Sequence, residues 1–260
     1  MSELRLQSEI RFHDRQAWER SLLLDNHPDQ LRFTDDDYLN HESWIRPAMA
    51  EFGQVAGKSI LDMGCGHGMA SVVLARAGAN VTAFDLSSGY VKEAIQRAVA
   101  NKVNVTHLQA DAEYLPFADH SFDAIWGNAV LHHLDITRAG REIRRVLRAD
   151  GVAVFCEPWG ENPLLNLARQ QLPYSGKHHT VDEKPLCFRD LKPLRDMFPI
   201  VDVRGYQLLS MIRRVISSPP IISFLETVDK FTLRMIPGMW RWCRYVVIVC
   251  RSEPERKGFS

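Results

Sequence analysis

From Lys58 to Pro158, short apolar runs rich in β-branched residues alternate with longer stretches in which apolar positions recur every three or four residues. Short apolar runs of this kind read as strands and a period near 3.6 marks helices, so the alternation predicts repeated β-α units around a parallel sheet. Strands are expected at Ser59–Met63, Asn80–Phe84, Val103–Leu108, Phe122–Gly127 and Val152–Cys156, and further on at Ile200–Val203 and Arg244–Cys250. Helices are expected at Met69–Ala77, closed by Gly78, from about Ser88 with Val91, Ala94, Ile95 and Ala98 on one face, and over Thr137–Leu147 with Ile143, Val146 and Leu147 turned inward. Ser87 or Ser88 can cap the second of these. The last strand is continuously apolar, as a strand buried on both faces is.

The fold class expected is α/β, a seven-stranded sheet between layers of helices. Residues 1–57 precede this rhythm and form an N-terminal helical extension. Segments 158–190 and 206–242 flank the sixth strand and are expected to cap the main domain, 58–260. No Gly-, Ser- or Pro-rich linker and no internal repeat divides the chain.

Composition narrows the classes of partner. Lys plus Arg equal Asp plus Glu at 32 each, so no global field steers a nucleic acid toward the chain, and none is expected as substrate. Five scattered cysteines without a C-x-x-C pair fit free thiols in a reducing compartment. The charged N-terminus lacks the core of a signal peptide, and cytoplasmic residence is expected. No apolar run approaches the roughly 20 residues that span a bilayer.

The densest signal is LDMGCGHG at Leu61–Gly68. It places Gly64, Gly66 and Gly68 on the turn from the first strand into its helix, where backbone without Cβ lets a ligand approach and helix N–H groups face it. Asp85 ends the second strand, where a carboxylate can accept from both hydroxyls of a ribose. Asp111 follows the third strand and can receive an adenine amino group. A dinucleotide-binding dehydrogenase would space its glycines G-x-G-x-x-G, whereas here the third arrives one residue early.

The ordered set LDMGCGHG, FDLS (84–87), Asp111, LPFADHSFDAIWGNAVLHHL (115–134) and LRADGVAVFCEP (147–158) resembles the class I S-adenosylmethionine (SAM)-dependent methyltransferases, in particular their small-molecule, ubiquinone-biosynthesis-like branch. That resemblance implies a seven-stranded, mostly parallel Rossmann-like sheet with its final strand antiparallel, and SAM as cofactor. It also implies that Asp62 and the turn Gly64, Cys65, Gly66, His67 and Gly68 hold the methionine end, that Asp85 holds the ribose, and that Leu86, Asp111 and Ala112 hold the adenine. Asn128 falls beside the methionine moiety. His67 departs from the smaller residue common in relatives.

Methyl transfer from a sulfonium is mainly a matter of positioning. An acidic hydroxyl or carbon acceptor benefits from a base, for which His132, His133 and Glu157 are the candidates. The structural alternatives are that one histidine packs under the next helix while the other caps it, and that Glu157 bonds backbone near Trp159. His178 and His179 lie in a polar loop, and no ligand spacing points to a metal. The acceptor expected is a small, partly apolar molecule methylated at O, N or C; a non-catalytic SAM- or partner-binding protein of the same fold is the other reading. Residues 206–242, with apolar positions from Leu208 to Met235 and Arg213, Arg214, Lys230, Arg234 and Arg241, fit either a helical cap shaping the acceptor pocket or an interfacial surface touching a membrane. Phe33, Tyr38 and Trp44 either close over the cofactor or pack in the core.

Overall fold

A computed structural model describes residues 3–171, 184–216 and 218–252. Four short or long helical segments come first: α1 (Glu3–Asn26), a 3-10 turn, α2 (Asp35–Leu39) and α3 (Ile45–Ala50). The alternating part then runs β1 (Ser59–Met63), α4 (Met69–Arg76), β2 (Asn80–Asp85), α5 (Ser88–Ala100), β3 (Val105–Gln109), β4 (Phe122–Asn128), α6 (Ile136–Val146) and β5 (Leu147–Pro158). After it come α7 (Pro163–Gln171), α8 (Lys192–Met197), β6 (Ile200–Tyr206), α9 (Pro219–Met235) and β7 (Tyr245–Arg251).

The seven strands form one sheet in the order β3-β2-β1-β4-β5-β7-β6, with β7 antiparallel to both neighbours. Side chains alternate between two cores, as the pleat requires. Ala153, Phe155, Val246, Ile248 and Cys250 join the α6 and α8 side, while Val152, Val154, Cys156, Val247 and Val249 join the α2–α4 side. β7 is thus buried on both faces, which explains its unbroken apolar run.

Most element ends differ from the sequence reading by a residue or more, and three features at these ends have a clear local reason. Val103 is not in β3, because its N–H closes the end of α5 on Ala98 O, with Lys102 at φ 56°. Leu147 turns inward as expected, yet it pairs with Phe122 and starts a twelve-residue β5 instead of ending α6. The start of α6 is capped by Asp135, whose side chain accepts from Thr137 and Arg138 N–H, and not by a histidine. Ser87 caps α5, and Gly78 ends α4 at φ 89°.

Within segment 206–242 the 3-10 turn Pro237–Trp242 packs on β6, with Trp240 against the core, while the helix that follows Pro219 stands off the sheet. Pro219 does open a new helix, α9, but that helix packs on the 3-10 turns Ser210–Arg214 and Pro237–Trp242. Asp229 is its one buried residue and accepts from the N–H groups of Leu208, Leu209 and Ser210, while Phe224, Phe231 and Met235 are about two-thirds exposed. Phe33, Tyr38 and Trp44 take the core alternative: Tyr38 and Trp44 are buried, Trp44 stacks on Tyr245 at 3.9 Å, and Phe33 lies under Arg76 and Arg97. No described helix is long and apolar enough to cross a membrane.

Candidate active site

A crevice of about 330 Å³ lies at the carboxyl ends of β1, β2, β3 and β4, the edge where open α/β sheets bind ligands. A larger, shallower hollow of about 1050 Å³ opens at the opposite edge around Arg76, Asn80 and Asn101. It touches neither the glycine turn nor the strand-end acids.

The crevice brings together most of the residues the sequence singles out. Gly64, Gly66, His67, Asp85, Leu86, Asp111, Ala112 and Asn128 line it, joined by His132 and His133. The turn is built for close approach. Gly64, Gly66 and Gly68 all have positive φ, and a Cβ on Gly68 would stand 2.8 Å from that of Ala94, so the turn is also where α4 meets α5. Asp85 shapes the loop while facing the crevice: one carboxylate oxygen accepts from Gly66 N–H at 2.8 Å and the other from Ser87 N–H at 2.9 Å. Burial raises its pKa against those donors.

Asp62 lies deeper, beneath the turn, where it accepts a hydrogen bond from Ser71 Oγ; burial pushes its pKa up to about 7. Cys65 is buried, and burial drives its thiol well above the usual range, so it offers no thiolate. Burial, reinforced by Arg20 and Arg97, holds His67 neutral at a pKa of about 4. His67 Nδ1 and Asn128 Oδ1 are buried polar atoms without a hydrogen-bond partner among the described residues. Such atoms call for a ligand or water.

The loop after β4 is strained and tightly held. Ala129 sits at φ 57°, its N–H bonded to Cys156 O. Glu157 is fully buried; Oε1 accepts from Val130 and Leu131 N–H at 3.0 and 2.8 Å, and Oε2 lies 2.7 Å from His132 Nδ1. This corrects the sequence reading of Glu157 in two respects: its backbone partners lie on the β4 loop and not near Trp159, and its carboxylate cannot reach an acceptor. It orients His132 at the wall of the crevice.

One wall was absent from the sequence reading. α1 lies across the crevice and contributes Glu9, Phe12, His13 and Gln16. Asp14 Oδ1 docks it by accepting from Ser87 Oγ at 2.6 Å and Gly89 N–H at 3.3 Å, Arg20 pairs with Glu93 through two hydrogen bonds, and Ala17 fits where Gly89 has no side chain. His133 Nδ1 stands 3.2 Å from Glu9 Oε2, and His13 Nε2 stands 3.4 Å from the same oxygen. Burial alone would depress His13, but Glu9 and Asp85 raise it above the ordinary value. The available signal was the Glu9–His13 spacing of one helical turn. His178 and His179 lie outside the described residues.

Residues 61–155 match a family described as "Methyltransferase domain". Among curated relatives, a demethylmenaquinone methyltransferase of Clavibacter sepedonicus is 39% identical over 119 residues, 45% of this chain and 48% of that protein. A malonyl-[acyl-carrier protein] O-methyltransferase of Pseudescherichia vulneris is 38% identical over 108 residues, 41% of each. The matched stretch thus spans about half or less of these relatives. Among solved structures, an S-adenosylmethionine-dependent methyltransferase from Mesorhizobium loti shares the fold at a TM-score of 0.55 and 20% identity, over 82% of this chain and 99% of that one.

Proposed function

We propose, from the premise that this chain is a member of the class I S-adenosylmethionine-dependent methyltransferase family, that it transfers a methyl group from SAM to an acidic oxygen, nitrogen or carbon of a small, partly apolar acceptor. The observation that carries the reading is the convergence of the glycine turn, Asp85, Asp111 and Asn128 on one crevice at the strand carboxyl ends.

The residues present fit SAM. Asp85 would take the ribose hydroxyls with its remaining lone pairs, Leu86 and Ala112 would offer apolar surface to the adenine, and Asp111 would accept from its edge. Asn128 Oδ1, buried and without a partner among the described residues, would hold the amino acid end, and Asp62 beneath the turn would supply a counter-charge for its ammonium. When bound, SAM supplies an activated methyl on sulfur. The chain holds the acceptor in line and removes a proton, and we assign that removal to His132, held in register by Glu157. His133 is the neighbour facing α1.

Incubation with labelled SAM and extract or candidate acceptors tests the assignment. We expect transfer by the native chain, a loss of about 10²-fold for His132→Ala, and a comparable loss for Glu157→Ala. Unchanged S-adenosylhomocysteine affinity in His132→Ala would place the loss in the chemical step. No labelled product from any extract, with the cofactor bound, would instead support a non-catalytic binding protein.

A second reading concerns where the acceptor is met. Ile221, Phe224, Phe231 and Met235 form an exposed stripe on α9, continued by Ile236 and Trp242 and bordered by the exposed Lys230, Arg234 and Arg241. An apolar stripe edged by cations suits the surface of an anionic bilayer. It would let a quinone-like or other lipid-like acceptor be collected there. Co-sedimentation with phosphatidylglycerol vesicles but not phosphatidylcholine vesicles is expected, and its absence would leave a soluble acceptor.

A further inference from the structure

The imidazoles and carboxylate at the α1 wall are arranged as a ligand set. Glu9 and His13 are one helical turn apart on α1, and His133 approaches from the loop after β4. One ligand atom from each, Glu9 Oε2, His13 Nε2 and His133 Nδ1, meet with Glu9 Oε2 at 3.4 Å from His13 and 3.2 Å from His133. One ligand atom from each of the three lies within 4.8 Å of the others. Ligands held tetrahedrally at about 2.1 Å from a metal are about 3.4 Å apart, so the two spacings to Glu9 are those of a coordination sphere.

The surroundings fix these groups. Glu9 is almost fully buried, Arg5 Nη2 donates to His133 O at 3.0 Å, and Asp14, one residue after His13, ties α1 to the start of α5. The rings of His13 and His133 meet edge to face at 5.3 Å. All three residues also line the crevice, beside His132.

We propose that Glu9, His13 and His133 form a site for a zinc-like divalent cation, with its fourth position opening on the crevice and filled by water or by an oxygen of the acceptor. Two imidazoles and one carboxylate with an open position is the donor set of a site that handles substrate and not of a closed structural one. Its ligands come from two elements, so the cation clamps α1 to the β4 loop. The acceptor class it selects is one carrying an ionisable oxygen, a phenol, enol or carboxylic acid. This deepens the methyltransferase reading, but its test needs neither cofactor nor acceptor, so the two fail separately.

The test is titration of the chelator-treated full chain with Zn²⁺ and with Co²⁺. One equivalent is expected to bind at micromolar concentration or tighter, with the intense visible absorption of four-coordinate Co²⁺ and a rise in Tm that grows with metal concentration. His13→Ala and His133→Ala should each weaken binding at least 100-fold, while His107→Ala, on the outer strand β3, should leave it unchanged. Circular dichroism checks that the variants fold, and His133→Gln provides a gentler replacement if His133→Ala does not. Less than one equivalent bound, the weak spectrum of hydrated Co²⁺, or affinity unaffected by the histidine replacements would overturn the proposal.

Discussion

The two walls of the crevice are made differently. The sheet wall is local in sequence: its crevice residues sit where strands end, so the turn Gly64–Gly68, Asp85, Asp111 and Asn128 are placed by backbone pairing before any side chain chooses a partner. The α1 wall is held across the chain by a few polar contacts, chiefly Asp14 with Ser87 and Gly89, and Arg20 with Glu93. The lesson is that one wall is part of the fold and the other is attached to it. Changes in the first should cost stability and binding together, while changes in the second should cost binding alone.

The largest effect belongs to the sheet wall. Gly68→Ala places a Cβ 2.9 Å from Ala94 Cα on a residue held at φ 80°, which combines overpacking with left-handed strain. A loss of about 3 kcal/mol in urea unfolding is expected, with binding lost alongside. A silent substitution would show that the turn is looser than this contact implies. Asp14→Ala on the other wall should lower S-adenosylhomocysteine affinity about tenfold, about 1.4 kcal/mol, with little change in the urea midpoint. A matching fall in stability would mean that α1 belongs to the fold's core after all.

Titration separates the walls further. His67 is held near a pKa of about 4 by burial, with Arg20, Arg97 and His41 lowering it and Glu93 opposing. Its folded pKa lies below its unfolded value, so its contribution is present above about 6.5 and is lost as pH falls toward 4. Arg20→Gln, by removing a cation from α1, should narrow that window in pH-dependent unfolding. Asp62 has the opposite sign: raised to about 7 by burial, it favours the folded state below its ordinary range and loses that contribution as pH rises through 7. An ammonium beside it would restore ionisation. Cofactor-product binding at pH 6 should therefore release a proton, seen as a dependence of calorimetric heat on the buffer, and Asp62→Asn should remove that dependence. The smallest effect is expected at Ala129, where Gly relieves positive φ but adds unfolded-state freedom, leaving stability within about 0.5 kcal/mol.

This division also explains what was legible in the sequence. Periodicity and glycine spacing are local, and they located all seven strands, the crevice and its acids. Leu147 was read as inward-facing but assigned to the wrong element, because an apolar residue at a helix-strand junction suits both. Glu157 looked like a base because it follows a strand end; only the fold shows its carboxylate closed by Val130, Leu131 and His132. Glu9, His13 and Asp14 were passed over because α1 has a weak amphipathic pattern and its partners are more than 70 residues away. For 206–242 the sequence leaves a pocket-shaping cap and an interfacial surface both open, because composition does not reveal that no described element covers the apolar stripe of α9.

The central claim is that the strand-end crevice is a SAM site. Isothermal titration with S-adenosylhomocysteine tests it most directly: we expect one molecule bound per chain, with heat lost in Asp85→Ala while that variant remains folded by circular dichroism. No binding to the native chain, or equal binding to Asp85→Ala, would contradict it.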